Sequence, residues 1–297
     1  MNRKNIISLI VFSAFLGAAP VAVRMMYSEI EPFWLGSMRY LLGAAVFWIL
    51  VVVKHLHLPK LPAMLGPILY GIFGIGFPFI LLAWGLLETS ASLASILMAM
   101  VPLMTILLSA FQCIEALSGN SILGCLVTIL GTFITVGGVN PSDLSFLHIG
   151  AIILGTFFLA EGGVILKRFP TESPIMTNAI AVSISALILV AASLIAGETW
   201  HLPTLLITWA ALGYLVIFVT VVAFLLYLRV LKKWSASGTS YSFVIVPIFT
   251  VIIASTLANE RINPNFIFGS MLVLLGVTIG AIFKRKEYVE VKLKPCR

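Results

Sequence analysis

Apolar runs of about twenty residues, parted by short polar breaks, fill the chain: Ile6–Val23, Pro32–Val53, Met64–Leu87, Ala91–Phe111, Ile122–Val139, Leu147–Leu166, Ile175–Ala196, Thr204–Val230, Gly238–Leu257 and Phe266–Phe283. Each is continuous and does not alternate, which rules against the period-2 strands of a membrane barrel and predicts helices. At 1.5 Å rise per residue, a run of that length spans a ~30 Å hydrocarbon core. The expectation is an all-α polytopic membrane protein of ten transmembrane helices.

The pattern occurs twice. Pro102, Thr105, Glu115, Asn120, Gly124, Leu130 and Gly131 return as Pro247, Thr250, Glu260, Asn265, Gly269, Leu275 and Gly276 at a constant offset of 145 residues. Ala91, Ser92 and Ser95 return as Ala236, Ser237 and Ser240 in the same register. A duplicated unit of five helices follows, with halves at 1–140 and 141–286 and a basic tail at 287–297. Because five is odd, the second half enters the membrane from the side opposite the first, and the two repeats are inverted.

Composition fixes the solvent. With 61% hydrophobic and 10% charged residues, the 297-residue chain has too little polar surface to cover a soluble globule, so the lipid bilayer is its medium. The net charge of +7 sits at the ends of apolar runs and forms no basic face, which removes nucleic acid as a partner. Arg3, Lys4, Lys54, Lys60, Lys167, Arg168, Arg229, Lys232, Lys233 and the tail cations fall on one side, and Glu29, Glu31, Glu88, Asp143, Glu198 and Glu260 on the other. The positive-inside rule then puts both termini in the cytoplasm and the protein in the cell (inner or plasma) membrane. Cys113, Cys125 and Cys296 show no CxxC spacing and no framework of pairs, so neither a metal site nor a disulfide scaffold is expected.

The P-x12-E-x8-G-x6-G pattern ending each half, the short loops and Arg39 within Ser37-Met38-Arg39-Tyr40 resemble the EamA-type members of the drug/metabolite transporter superfamily. The resemblance covers nearly the whole chain. It implies ten helices as two inverted repeats, a central cavity lined mainly by helices one to four and six to nine, and export of a small-molecule solute such as an amino acid. It also implies that helices five and ten lie at the periphery or between subunits, which leaves a homodimer open.

Several residues are candidates for the transport path. Pro102 and Pro247 each remove a helical donor near mid-helix, as hinges, cavity-facing kinks or packing devices. Ser92, Ser95 and Ser240 lie on small, weakly polar stripes at spacings of three or four, with Tyr241 beside them, and Tyr70 offers a ring with a polar tip. Arg39 lies about two turns into the second run, where it can bind a carboxylate or snorkel towards Glu29 or Glu31. Glu161, deep in the sixth, is a candidate for proton coupling or a neutral, hydrogen-bonded member of the bundle. Glu115 and Glu260 read as structural caps at helix N-termini. No HExxH, GxSxG, P-loop or dinucleotide turn is present, and no histidine pair has ligand spacing on one helix. No catalytic residue, metal or cofactor is therefore expected. The chemistry reads as secondary transport by alternating access, with a passive channel or lipid scramblase as the alternative.

Overall fold

The computed structural model describes residues 3–114, 119–137, 145–171, 173–258, 260 and 263–287. Glu115 and Asp143, named above, lie outside them. Helices account for the regular structure among the described residues, and ten rods can be followed: α1 Arg3–Met26, α2 Pro32–Val53, α3 Leu61–Gly85, α4 Ala91–Phe111, α5 Gly119–Gly137, α6 Phe146–Arg168, α7 Pro174–Ala196, α8 Leu206–Lys233, α9 Ala236–Leu257 and α10 Pro264–Glu287. Eight have a span long and apolar enough to cross a membrane, and α5 and α10 contribute shorter apolar stretches, Ile122–Gly137 and Pro264–Ile279.

Local chemistry sets the helix ends. Pro32 and Pro174 open α2 and α7 at positions where a missing N–H costs nothing. Ser90 and Ser235, equivalent at the 145-residue offset, cap α4 and α9 by accepting from Leu93 N and Gly238 N. Such a cap contributes about 1 kcal/mol. Gly197 closes α7 at φ 70°, the left-handed region that favours glycine.

The helices alternate in direction, which gathers Glu29, Glu88, Glu198 and Glu260 at one end of the bundle and Lys54, Lys60, Arg168 and Lys233 at the other. These are called the acidic and basic ends below. α1 runs from the basic to the acidic end and α6 the reverse, for the His148 ring at the start of α6 packs, tilted, against Trp84 near the end of α3 (4.4 Å between ring centres).

The duplication is visible in the packing. α2 lies on α7 and α5 on α10, each against its own counterpart. At the α5–α10 crossing, a Cβ built on Gly131 would sit 2.6 Å from Val273 N, and one built on Gly276 would sit 2.6 Å from Thr128 N. Gly131 and Gly276 are equivalent, as are Thr128 and Val273. The two helices thus cross on a pseudo-two-fold axis, and glycine is required because backbone meets backbone. Their outward faces, including Phe133 and Phe268, are exposed apolar surface suited to lipid. Cys125 is free on α5. Cys113 is disulfide-bonded, contrary to the expectation from spacing.

Candidate solute cavity

Two π-helical segments sit at matched places in the halves: Tyr70–Gly76 within α3 and Leu215–Ala223 within α8. A π turn shifts backbone partners by one residue, and such turns collect at functional sites. Each segment faces the other half. Ser185 on α7 donates to Gly71 O (2.8 Å), and Thr220 on α8 accepts from Arg39 Nε on α2 (2.8 Å).

Against the α3 segment lies a cavity of about 110 Å³ whose walls include Phe12, Tyr40, Tyr70, Phe79, Tyr227 and Phe243. At a water's share of liquid volume, ~30 Å³, that is room for roughly four waters. Towards the acidic end it reaches Val23 and Leu86. Towards the basic end it stops at Phe12, Tyr227 and Phe243, which stack and cross at 5.4–6.1 Å, about two turns short of the end of α8.

Arg39 is the one cation on these walls, and no carboxylate accompanies it among the described lining residues. It is 4% exposed. Beyond the bond to Thr220, its guanidinium lies over the Tyr40 and Phe79 rings at 5.0 and 5.5 Å, leaving its terminal nitrogens without a hydrogen-bond partner among the described residues. A cation at such depth costs at least ~2.5–3.5 kcal/mol to insert, which ring faces offset only in part. The arrangement suits an incoming anion.

The prolines act on the same walls. Pro102 has no N–H for Met98 O and Pro247 none for Phe243 O. Met98 and Phe243 both line the cavity and are equivalent at the 145-residue offset. The surrounding breaks differ: α4 turns at Ala99–Met100, just before Pro102, whereas α9 turns at Tyr241, six residues before Pro247.

Glu161 occupies different ground. It sits with Gln112, Arg168, Phe73 and Phe158 around a second cavity of about 370 Å³ at the basic end, separate from the Arg39 cavity. Gln112 Nε2 donates to both carboxylate oxygens at 2.8 Å, tying the end of α4 to α6. Arg39 and Glu161 are not brought together.

At the acidic end, three carboxylates cap helices of the opposite half. Glu260 accepts from Ala91 N (2.8 Å) and Ser92 N (3.2 Å) at the start of α4, with Arg24 at 3.5 Å. Glu198 accepts from Phe33 N and Trp34 N at the start of α2. Glu29 accepts from Thr204, Leu205 and Thr208 at the start of α8. The Thr204 hydroxyl, then Thr208, hold the Glu29 carboxyl down at about 2.

The chain matches the EamA-like transporter family over residues 3–137 and again over 147–281. It belongs to that family. The EamA-like chain is a multi-pass membrane protein. It is 28% identical to the uncharacterized transporter YyaM of Bacillus subtilis, an alignment covering 97% of each chain. To the uncharacterized inner membrane transporter YedA of Escherichia coli it is 24% identical, over 88% of this chain and 87% of that one. It is also 24% identical to a probable amino-acid metabolite efflux pump of Escherichia coli, over 94% and 95%. A solved crystal structure aligns over 94% of this chain and 97% of its own at a TM-score of 0.70 and 18% identity, a likeness of fold.

Of the residues singled out in the sequence, Arg39 and Tyr70 line the central cavity, while Ser92, Ser95, Ser240 and Tyr241 are not on its walls. Ser95 Oγ donates to Ser92 O and Ser240 Oγ to Ser237 O, equivalent bonds within each helix, and Tyr241 sits on the α9 turn. Sequence reasoning missed Thr220 and Gln112. A signal was present: at the 145-residue offset Arg39 and Thr220 correspond to Ile184 and Ile75, and Glu161 and Gln112 to Leu16 and Leu257. Both polar pairs stand where the duplicated half is apolar.

Proposed function

We propose that this EamA-like protein is a secondary transporter that exports small metabolites, amino acids or related compounds, by alternating access. Ten spans form two inverted repeats, 1–140 and 141–286, with both termini cytoplasmic and the acidic end outside. The observation that carries the reading is the one-sided cavity: it holds a buried cation, extends to the acidic end and is closed by the Phe12–Tyr227–Phe243 cluster towards the basic end. A pore would need a path through both ends. The unequal breaks in α4 and α9 support the same conclusion, since a two-fold operation on the bundle exchanges the halves and turns a cavity facing one side into one facing the other. Arg39, Tyr70, Pro102 and Pro247 belong to the solute path. Glu161, outside it, is the candidate for coupling to protons.

Vesicles containing the purified protein and loaded with unlabelled solute should take up external labelled solute transiently above equilibrium. Such counterflow requires a site that alternates between sides. Uptake that is linear in concentration and shows no counterflow would establish the passive channel or scramblase instead. Single cysteines near Lys60 and Lys233 should be shielded from an impermeant external thiol reagent, and one near Glu88 should react. The opposite labelling would remove the inverted topology.

A further inference from the structure

We propose that the basic-end cavity of Glu161 and Arg168 binds the phosphoethanolamine headgroup of a membrane lipid, the ammonium on the Glu161 carboxylate and the phosphate on the Arg168 guanidinium. The site shares no wall residue with the Arg39 cavity, and the assignment does not depend on the carrier reading.

The charges come first. Phe158, Glu161, Ile165 and Arg168 recur at spacings of three and four along α6 and all line the cavity of about 370 Å³, so one face of the helix supplies a carboxylate and, about two turns nearer the basic end, a guanidinium. The rise between them is roughly 10 Å. No ion pair joins the two, and Arg168 makes no hydrogen bond among the described residues. Opposite charges that line one cavity without meeting are complemented by a single occupant that carries both signs on a short spacer. Gln112 Nε2 donates to both oxygens of Glu161 at 2.8 Å, which holds the carboxylate against α4 and leaves lone pairs on each oxygen for a further donor. A primary ammonium supplies such donors, whereas a trimethylammonium supplies none. A carboxylate at membrane depth also calls for a cation, which Arg168 does not provide by direct contact.

The surroundings point to a lipid as the source of the headgroup. Phe73 and Phe158 stack on the cavity wall with ring centres 6.1 Å apart. Each continues into a ring on the outer surface of the spans: Phe77, 38% exposed, at 5.6 Å from Phe73, and Phe157, 39% exposed, at 5.7 Å from Phe158. α3 runs from the basic to the acidic end and α6 the reverse, so both exposed rings stand farther from the basic end than Glu161, at the depth where acyl chains run below a headgroup. A soluble zwitterion has no use for that surface. Room suffices, since at ~30 Å³ per water the cavity holds roughly twelve waters, more than a phosphoethanolamine needs. Ammonium and proton compete for one carboxylate, so the site is compatible with the coupling role proposed for Glu161.

The test is native mass spectrometry of the full chain in detergent, with phosphatidylethanolamine, phosphatidylcholine and phosphatidylglycerol of identical acyl chains added singly. Phosphatidylethanolamine should be retained as a single tight copy, at least about tenfold more tightly than the other two, because neither offers Glu161 an N–H donor. Glu161→Gln should weaken phosphatidylethanolamine about tenfold and leave phosphatidylglycerol unchanged. Arg168→Gln should weaken all three, since all carry the phosphate. A carboxylate that only ties α4 to α6 through Gln112 does not produce this lipid-specific pattern. Glycerophosphoethanolamine, the same headgroup without acyl chains, should fail to displace the lipid at equal concentration. The proposal is overturned if phosphatidylcholine or phosphatidylglycerol binds as tightly as phosphatidylethanolamine, if Glu161→Gln affects the three lipids alike or not at all, or if glycerophosphoethanolamine displaces the lipid, which would give the cavity to a soluble zwitterion. Should Glu161→Gln not fold, the three-lipid comparison on the wild type and Arg168→Gln, at an exposed residue, decide.

Discussion

Glu260→Gln isolates the capping of one half by the other. The Glu260 carboxylate, 13% exposed, accepts from two N–H groups in the first turn of α4, at 2.8 and 3.2 Å. Glutamine keeps one acceptor oxygen and turns the other position into an NH₂ facing a backbone donor. The change therefore removes one charge-assisted hydrogen bond, about 1.5–3 kcal/mol, and the interaction of a full negative charge with the helix N-terminus, about 0.3–1 kcal/mol. The ion pair with Arg24 contributes little, because Arg24 is 41% exposed and the separation is 3.5 Å. The total is at least about 2 kcal/mol. For a domain of 150–250 residues each kcal/mol is worth about 2–4 °C, so the midpoint of thermal unfolding in detergent should fall by at least ~4 °C. Glu88→Gln is the control, since Glu88 is exposed at the same end and makes no hydrogen bond among the described residues. Equal midpoints for the two variants would refute the capping argument.

Three further outcomes are expected. Glu29, held at about 2 by Thr204 and Thr208, favours the folded state above the ordinary carboxylate range and loses that contribution as pH falls towards 2, so the difference in thermal midpoint between wild type and Glu29→Gln should be constant from pH 7 to 5 and shrink below; a difference that grows on acidification contradicts the assignment. Gly131→Ala should lower the midpoint through about 1–3 kcal/mol of overpacking, because its Cβ would meet backbone of α10 at 2.6 and 2.9 Å, whereas Gly213→Ala, with nothing within 4 Å, should leave it level or raise it. Glu161→Gln can still accept from Gln112 but cannot change charge, so solute exchange should persist while accumulation driven by a pH gradient disappears; full pH-driven accumulation in the mutant removes Glu161 as the proton carrier.

Much of the architecture could be read from the chain because lipid enforces it: an apolar run of spanning length has few folds open to it, and Gly124, Gly131, Gly269 and Gly276 repeat at seven-residue spacing. Their pairing could not be read, since that α5 crosses α10 at Thr128 and Val273 is a property of the two-fold axis. Glu260 shows the same limit. Its place between two helices suggests a cap for the helix that follows, yet it caps α4 of the other half, and only the approach of α9 and α10 to the start of α4 decides that. The π segments left no mark in the pattern either. Tyr70–Gly76 is glycine-rich and Leu215–Ala223 is almost wholly aliphatic, so composition differs where backbone geometry agrees. The serine stripes misdirect for a physical reason: a hydroxyl that donates to its own helix, as Ser95 and Ser240 do, allows close packing without any cavity beside it.

What separates function from architecture in a duplicated membrane protein is the place where the copies stop agreeing. Gly124, Gly131, Pro102 and the capping Ser90 match Gly269, Gly276, Pro247 and Ser235 across the 145-residue offset and belong to the scaffold. Arg39–Thr220 and Gln112–Glu161 do not match, and each joins one half to the other. Ile184 with Ile75 and Leu16 with Leu257 show that apolar pairs fill the same positions in the duplicate, so the fold does not require the polar ones. A cation or carboxylate at membrane depth costs insertion energy that an apolar residue in the same place does not, which is why the two pairs are the candidates for function. The cation lies in the cavity towards the acidic end and the carboxylate in the cavity towards the basic end. Loss of the contact between halves at one polar pair can therefore accompany opening on that side without disturbing the other, which is the division of labour an alternating carrier needs.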